Sequence, residues 1–362
     1  MRFPQFPEGL APVLAYHLRF AGAGPRLGGF RLGEDRVRGS RRGAAAPVAA
    51  LDLGTNNCRL LIAVPGRGGA LRIVDSFSRI VRLGEGLGQS GVLSDTAIER
   101  TVAALKICAQ HLATHRVRRM RAVATEACRR ASNSGVLLAR AREEAGIELE
   151  IISAEEEARL AAVGCAPLID PQAQGALIFD IGGGSTEIIW MRHEGEGGVP
   201  RVVASSSEAA GVVTIAEGWS GGAFDAAGYA MLRAQMLARF ASVKARMDAL
   251  APFDPATHHL LGTSGTVTTL AAIALGLPRY DRGKVDASWH DSAAILAVID
   301  RLVGLDLAGR AALGPVGTDR ADLIVPGCAV FAAIHTLWPC ARLRVADRGL
   351  REGMLRELIA AR

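Results

Sequence analysis

The sequence predicts an α/β protein made of two copies of one domain with a cleft between them. Three observations lead there. The stretches LDLGTNNCRLLI (51–62) and FDIGGGSTEIIW (179–190) share one shape: apolar strand, aspartate, glycine, short polar run, apolar strand. With Asp52 set under Asp180, the two stretches lie 128 residues apart, about one domain, which is the mark of a duplication. The chain has 362 residues, 49% of them apolar, enough for two buried cores.

The elements follow in order. Residues 1–46 are rich in Gly, Arg, Pro and Ala and lack a periodic apolar pattern, so a disordered leader is expected, either a basic arm or the product of a start assigned too early. Residues 48–64 form the first hairpin, and 71–83 look like strands. A helix over 95–113 is capped by Ser94. A strand at 119–125 leads into a helix over 126–145, then a strand at 148–152 and a helix at 154–165. The second hairpin surrounds 178–189. Ala/Leu-rich helices are expected at 225–250, 290–304 and 319–338. Between them, 258–276 reads as strand, Gly/Ser/Thr loop and helix. The end, RLRVADRGLREGMLRELIAAR (342–362), reads as strand, Gly349 and a closing helix. This places domain I at 47–155 with the closing helix 349–362, and domain II at 156–348.

Bulk properties exclude several partners. The leader carries eight arginines against three acids, so it holds +5 of the formal +6, and the remaining chain is close to neutral. That argues against nucleic acid as a partner of the folded body. No apolar run approaches the ~20 residues of a membrane span, and no signal pattern opens the chain. A cytoplasmic protein without membrane attachment is expected. The six cysteines form no C-x-x-C pair and read as small buried hydrophobes.

The paired loops carry chemistry. Glycines remove side chains and admit positive φ, so backbone amides can converge on an anion. An aspartate at the end of each incoming strand would repel that anion unless a divalent cation stands between them. Two such loops across a cleft would clamp a phosphate–Mg²⁺ unit. EIISAEEEARL (150–160) offers a base. Ser153 and Glu156 fit a capping box, Glu155 pairs with Arg159 at i,i+4, and Glu157 starts an apolar face of small residues, where a partly desolvated carboxylate suits water activation. Arg129 and Arg130 in the first turns after a strand could hold phosphate or lie in solvent. Arg82 on a Gly-punctuated strand end and Ser264–Gly265 in GTSGT are further anion-friendly positions. His111 and His115 have the i,i+4 spacing of zinc ligands without the expected acidic partner in the motif, so a surface helix is expected.

Taken together, LDLGTNNCRLLI, VRLGEGLGQSGVLS, AVATEACRRASN, EIISAEEEARL, FDIGGGSTEII, GTSGTVTTLA and GLREGML resemble the exopolyphosphatase/guanosine pentaphosphate phosphohydrolase family, within the actin-like ATPase superfamily. The resemblance runs from about 48 to 354. It implies two actin-like (ribonuclease H-like) domains, Glu157 as general base, and Glu187 as a second essential glutamate beside the metal. It implies Asp52 and Asp180 as metal and phosphate ligands with Mg²⁺ (or Mn²⁺). Gly54, Thr55, Asn56, Gly182, Gly183, Gly184, Ser185 and Thr186 correspond to the loop positions, and Arg129 to a phosphate-binding arginine. The implied substrate is inorganic polyphosphate, with guanosine pentaphosphate as the alternative and a sugar kinase or nucleotide switch further off. A homodimer is expected. Asn57 stands where family loops usually carry Ser, and Glu126 where many carry a neutral residue. The C-terminal helical domain of the long members is not in this sequence, so weaker processivity is expected.

Overall fold

The computed structural model describes residues 46–66, 70–193 and 200–361, so the expected leader lies outside them apart from Ala46. The first lobe runs β1 (Val48–Leu53), β2 (Asn57–Pro65), β3 (Leu71–Ile80), α1 (Leu87–Ser90), α2 (Asp95–Thr114), β4 (Arg119–Ala124), α3 (Glu126–Arg130), α4 (Ser134–Ala145) and β5 (Glu150–Ile151). Helix α5 (Ala154–Cys165) crosses to the second lobe. There follow β6 (Gly175–Ile181), β7 (Thr186–His193), β8 (Pro200–Glu208), α6 (Val212–Gly218), α7 (Ala226–Leu250), β9 (His258–Thr263), α8 (Ser264–Ala274), α9 (Arg282–Val285), β10 (Trp289–Asp291), α10 (Ser292–Val303), α11 (Leu307–Ala311), α12 (Ile324–Leu337), β11 (Arg342–Ala346) and α13 (Leu350–Ala360).

The duplication is visible in the strand orders. Among the described residues one sheet is ordered β3-β2-β1-β4-β5 and the other β8-β7-β6-β9-β11-β10. In each, an antiparallel hairpin, β1–β2 or β6–β7, is followed by an antiparallel third strand, and a parallel strand joins its other side. These are the two actin-like lobes.

Two helices tie the lobes together. Ala158, Ala161, Ala162 and Cys165 of α5 pack on Ile178, Ile189 and Leu261 of the second sheet. Leu160 of the same helix joins Leu350, Met354 and Leu355 of α13 against Val48, Ala50, Leu61 and Val123 of the first. Each Leu, Ile, Val or Met among them, taken fully out of water, contributes about 1.5–3 kcal/mol, and each Ala less. Here glycine is required by close approach: a Cβ on Gly164 would collide with the carbonyl of Gly349, and one on Gly353 with that of Leu160.

Several expectations are corrected. The helix placed at 126–145 is two helices, because Ala131 is extended (φ −76°, ψ 127°). Asn133 turns its amide outward to accept from the Leu93 amide at 2.8 Å and donate to its carbonyl at 2.9 Å, the side-chain competition that makes Asn a poor mid-helix residue. The helix placed at 319–338 begins at Ile324, and the one at 290–304 begins at Ser292 after β10. No separate loop divides β9 from α8, because Ser264 adopts φ 75° and turns the chain directly into the helix. All six cysteines are free and buried. Among the described residues no helix is long and apolar enough to cross a membrane.

Candidate active site

The two hairpin loops are built alike. Gly54 N donates to Asn57 O and Gly182 N to Ser185 O, both at 2.9 Å. In the first loop the Thr55 carbonyl accepts from Gly84 N, and the Asn56 carbonyl from Val81 N and Arg82 N. In the second, the carbonyls of Gly182, Gly183 and Gly184 accept from the amides of Val212, Val213 and Gly211. With the carbonyls turned to these supports, the amides of Thr55, Asn56, Gly183 and Gly184 have no protein acceptor among the described residues. Such inward-turned amides form an anion-binding concavity. The second loop needs its glycines because it lies against the first: a Cβ on Gly184 would strike Thr55 Oγ1 and Glu126 Cγ.

Strand register sets the charges between the loops. Cross-strand partners share a face of the sheet. The β1–β2 register pairs Asp52 with Arg59, and the β6–β7 register pairs Asp180 with Glu187. The N-terminal turn of α5 brings Glu157 to the same cleft, which is also lined by Thr125, Glu126, Ser185 and Ser264. Glu157 Oε2 accepts from Arg129 Nη1 at 2.7 Å, while Glu126 takes Nε and Nη2 of the same guanidinium at 3.2 and 2.9 Å. Glu187 Oε1 accepts from Ser185 Oγ at 2.7 Å and Ser207 Oγ at 2.8 Å.

Burial dominates the titration of these groups. It raises the Asp52 carboxyl, partly offset by Arg59. It pushes Asp180 up to about 6, against the pull of Arg59, and Glu187 to about 7, with Asp180 adding to the rise. Burial and then Glu187 hold Glu157 well above the carboxylate range despite Arg129. The raised pKa values of four crowded carboxylates mark the cost of ionising them together, a cost that a bound cation would relieve. Thr55 Oγ1, Asn56 Oδ1 and Asn57 Oδ1 are also buried there without hydrogen-bond partners. Among the described residues no three His, Cys, Asp or Glu side chains converge to ligate a metal by themselves. The donor set therefore suits Mg²⁺, which keeps several waters and takes one or two carboxylates together with phosphate oxygens.

Other expected residues lie elsewhere. Arg82 points across the cleft mouth to Asp322, 3.2 Å away. Thr186 is buried with its hydroxyl donating to the Ala210 carbonyl. Arg129 is held between two carboxylates. The Glu155–Arg159 pair does not form, because Glu156 and Glu357 take Arg159 and draw it toward α13. His111 and His115 both meet one oxygen of Asp75, at 2.6 and 2.9 Å, a partner from β3 that helix spacing does not reveal.

Sequence reading missed a basic wall. Beyond Ser264 and Gly265 the cleft continues into an open pocket lined by Arg59, Arg282, Arg320 and Arg351 together with Phe77, Tyr280 and Asp347. A Cβ on Gly265 would lie 3.9 Å from Arg320 Nη1 and 4.0 Å from Arg59 Nη2, so two guanidiniums converge there. Arg59, Arg320 and Arg351 have no carboxylate within ion-pair distance among the described residues, whereas Arg282 pairs with Glu352 at 2.8 Å. Burial weakens the charged form of Arg351, and burial together with Arg59 weakens that of Arg320. Partly buried cations without counter-ions call for an anionic ligand. The hairpin register could have pointed to Arg59; nothing in the local sequence points to Arg320.

Comparison with known proteins agrees with this architecture. The family described as the Ppx/GppA phosphatase family matches residues 62–361. Exopolyphosphatase 2 of Mycobacterium tuberculosis is 35% identical over 303 residues, 79% of this chain and 89% of that protein. A putative exopolyphosphatase of Haemophilus influenzae is 27% identical over 318 residues, 88% of this chain and 93% of the other. The solved structure of the Aquifex aeolicus member of the Ppx/GppA family matches with a TM-score of 0.71 at 29% identity, covering 87% of this chain and 98% of that one. An exopolyphosphatase structure from Cytophaga hutchinsonii has a TM-score of 0.77 at 23% identity, covering 87% and 98%, and supports the fold.

Proposed function

The chain belongs to the Ppx/GppA phosphatase family, and from that premise we propose that it is an exopolyphosphatase releasing orthophosphate from the ends of inorganic polyphosphate. The observation that carries the reading is the run of guanidiniums without carboxylate partners beyond the carboxylate cluster. A phosphate chain with its end between the loops would continue past Gly265 onto Arg59, Arg320 and Arg351. Each further phosphate would then meet a guanidinium that no carboxylate holds in an ion pair.

In this reading the amides of Thr55, Asn56, Gly183 and Gly184 hold the oxygens of the terminal phosphate and favour the charge that develops there. Glu157 takes a proton from the attacking water through the oxygen that Arg129 leaves free. Its raised pKa brings it nearer the working pH, as an efficient base requires. The water oxygen bonds to the terminal phosphorus, and the bridging oxygen leaves with the shortened chain. Arg129 fixes the carboxylate orientation, and Glu126 fixes Arg129. Of Asp52, Asp180 and Glu187, one or two would hold Mg²⁺ or Mn²⁺ directly and the rest through its waters, and the ion would supply neutralising charge beside the phosphate oxygens.

One observation favours a second reading, hydrolysis of guanosine pentaphosphate. The far pocket is lined not only by arginines but by Phe77, Tyr280 and Asp347, two aromatic rings and a carboxylate that a phosphate chain does not call for. The test compares kcat/KM for the two substrates and follows polyphosphate of defined length on a gel. A ladder of shortening intermediates supports a distributive exopolyphosphatase. A higher kcat/KM for guanosine pentaphosphate reverses the order of the two readings.

A further inference from the structure

We propose that Arg82, Asp322 and Glu217 are positioning residues that form a clasp between the lobes, fastening the support of the first phosphate loop to the second lobe. This assignment takes Arg82 out of the phosphate-binding set, and its functional consequence rests on the reading above.

The segment Val81–Gly88 does three things at once. Its amides at Val81, Arg82 and Gly84 hold the carbonyls of Asn56 and Thr55, so its position sets the first loop. Gly84 lies so close that a Cβ would strike Thr55 Cγ2, which leaves no room for independent movement. Arg100 of α2 locks the segment from behind, donating to the carbonyls of Val81 at 3.0 Å and Arg82 at 3.2 Å and pairing with Glu85 at 2.6 Å.

The same segment reaches the other lobe at two points. Arg82 Nη1 lies 3.2 Å from Asp322 Oδ2, and its Nη2 reaches the Asp319 carbonyl at 3.4 Å, just before α12. Gly86 N donates to Glu217 Oε1 of α6 at 2.7 Å. Helix α6 in turn begins at the amides that hold the carbonyls of the second loop. The two loops are therefore joined through their supports as well as through direct packing. Arg82 adopts φ 45°, a left-handed conformation that a non-glycine residue keeps only when its surroundings impose it. That backbone lets its amide serve Asn56 while the side chain crosses the cleft.

The pair is weak by construction. The two side chains are 38% and 42% exposed, and ion pairs so exposed shift an equilibrium by roughly two- to fivefold. A clasp of that strength favours the closed cleft and still opens for a chain to enter and orthophosphate to leave. The closed state, not the phosphate itself, is what Arg82 recognises.

The test uses the full chain with spin labels on cysteines introduced at Val136 and Met231, exposed positions on α4 and α7; the native cysteines are buried. Arg82→Ala, Asp322→Ala and the double variant should each raise the long-distance population between labels by the same ~2–5-fold. The charge exchange Arg82→Asp with Asp322→Arg should restore it. KM for polyphosphate should rise by the same factor in each variant, with kcat nearly unchanged. Unchanged label distances in Asp322→Ala overturn the clasp. So does an Arg82→Ala defect that persists in the Asp322→Ala background and has a steep salt dependence, which would return Arg82 to the phosphate. The distance measurement needs no substrate, so it stands even if polyphosphate proves not to be the substrate.

Discussion

Glu157→Gln separates the chemistry of the cleft from its architecture. The amide keeps the size of the side chain and an oxygen to accept from Arg129 Nη1, now 2.7 Å from the carboxylate. What it loses is the ability to take a proton, worth about 10²–10⁴ in turnover, or roughly 2.7–5.5 kcal/mol of barrier. Stability should move the other way. Burial, then Glu187, raise the Glu157 carboxyl well above its ordinary value. A carboxyl raised on folding contributes stability below its unfolded pKa, and that contribution is lost as pH rises through the folded pKa. At neutral pH the ionised side chain therefore costs stability, and the neutral amide removes that cost. The gain would be read as a rise in Tm, about 1–2 °C for each kcal/mol in a chain of this size. The assay is phosphate release from a defined short polyphosphate at saturating Mg²⁺, with a thermal melt of each variant. Glu155→Gln, on the same helix turn but outside the cleft lining, is the control and should be nearly silent. A Glu157→Gln enzyme retaining more than a tenth of turnover, or equal losses in both variants, would remove Glu157 from the role of base.

Three further outcomes are expected. Chelation with EDTA should abolish turnover and Mg²⁺ restore it, with Asp180→Asn needing more metal; full activity of Asp180→Asn in chelator would contradict the cation reading. Asp180 and Glu187 sit near 6 and 7, and metal ligands must be deprotonated. Apparent Mg²⁺ affinity, read by calorimetry, should thus weaken about tenfold per pH unit between the two values and about a hundredfold per unit below both, while the metal-free protein melts higher at pH 5.5 than at pH 8; a flat profile would refute it. Arg320→Gln and Arg59→Gln should raise KM for long chains more than for tripolyphosphate and flatten its salt dependence; equal effects at all lengths would mean that the far cavity does not hold the chain.

The repeat, the two loops and the helix that carries Glu157 were legible because each is a local pattern: a hairpin with its aspartate, or a cap followed by a one-sided apolar helix. Asp52, Asp180 and Glu157 needed only that. The pairing of Asp180 with Glu187 was implicit in the hairpin, and so was that of Asp52 with Arg59, because a short loop fixes the register of its strands. What the sequence hid depends on distant chain. The break at Ala131 comes from Leu93, forty residues away from Asn133. Arg82 looked like a phosphate ligand because local pattern does not reveal Asp322, and Arg320 enters the cleft only through the packing of the second lobe. Fine pairing was also hidden: Arg159 has three glutamates within reach, and the choice among them was made by α13.

The crossing of α5 and α13 has a consequence for how the two halves diverged. Both helices follow the equivalent last parallel strand of their lobe, and counting from Ser153 and Gly349, Glu157 and Gly353 hold the same place. A twofold-symmetric ancestor would have offered two such places facing one cleft. In this chain only one can carry a carboxylate, because any side chain at Gly353 would run into the Leu160 carbonyl. The steric demand of joining the halves thus coincides with a loss of equivalence. A carboxylate can therefore enter from one of the two helices alone, and the asymmetry of the cleft is written into the contact that holds the two halves together.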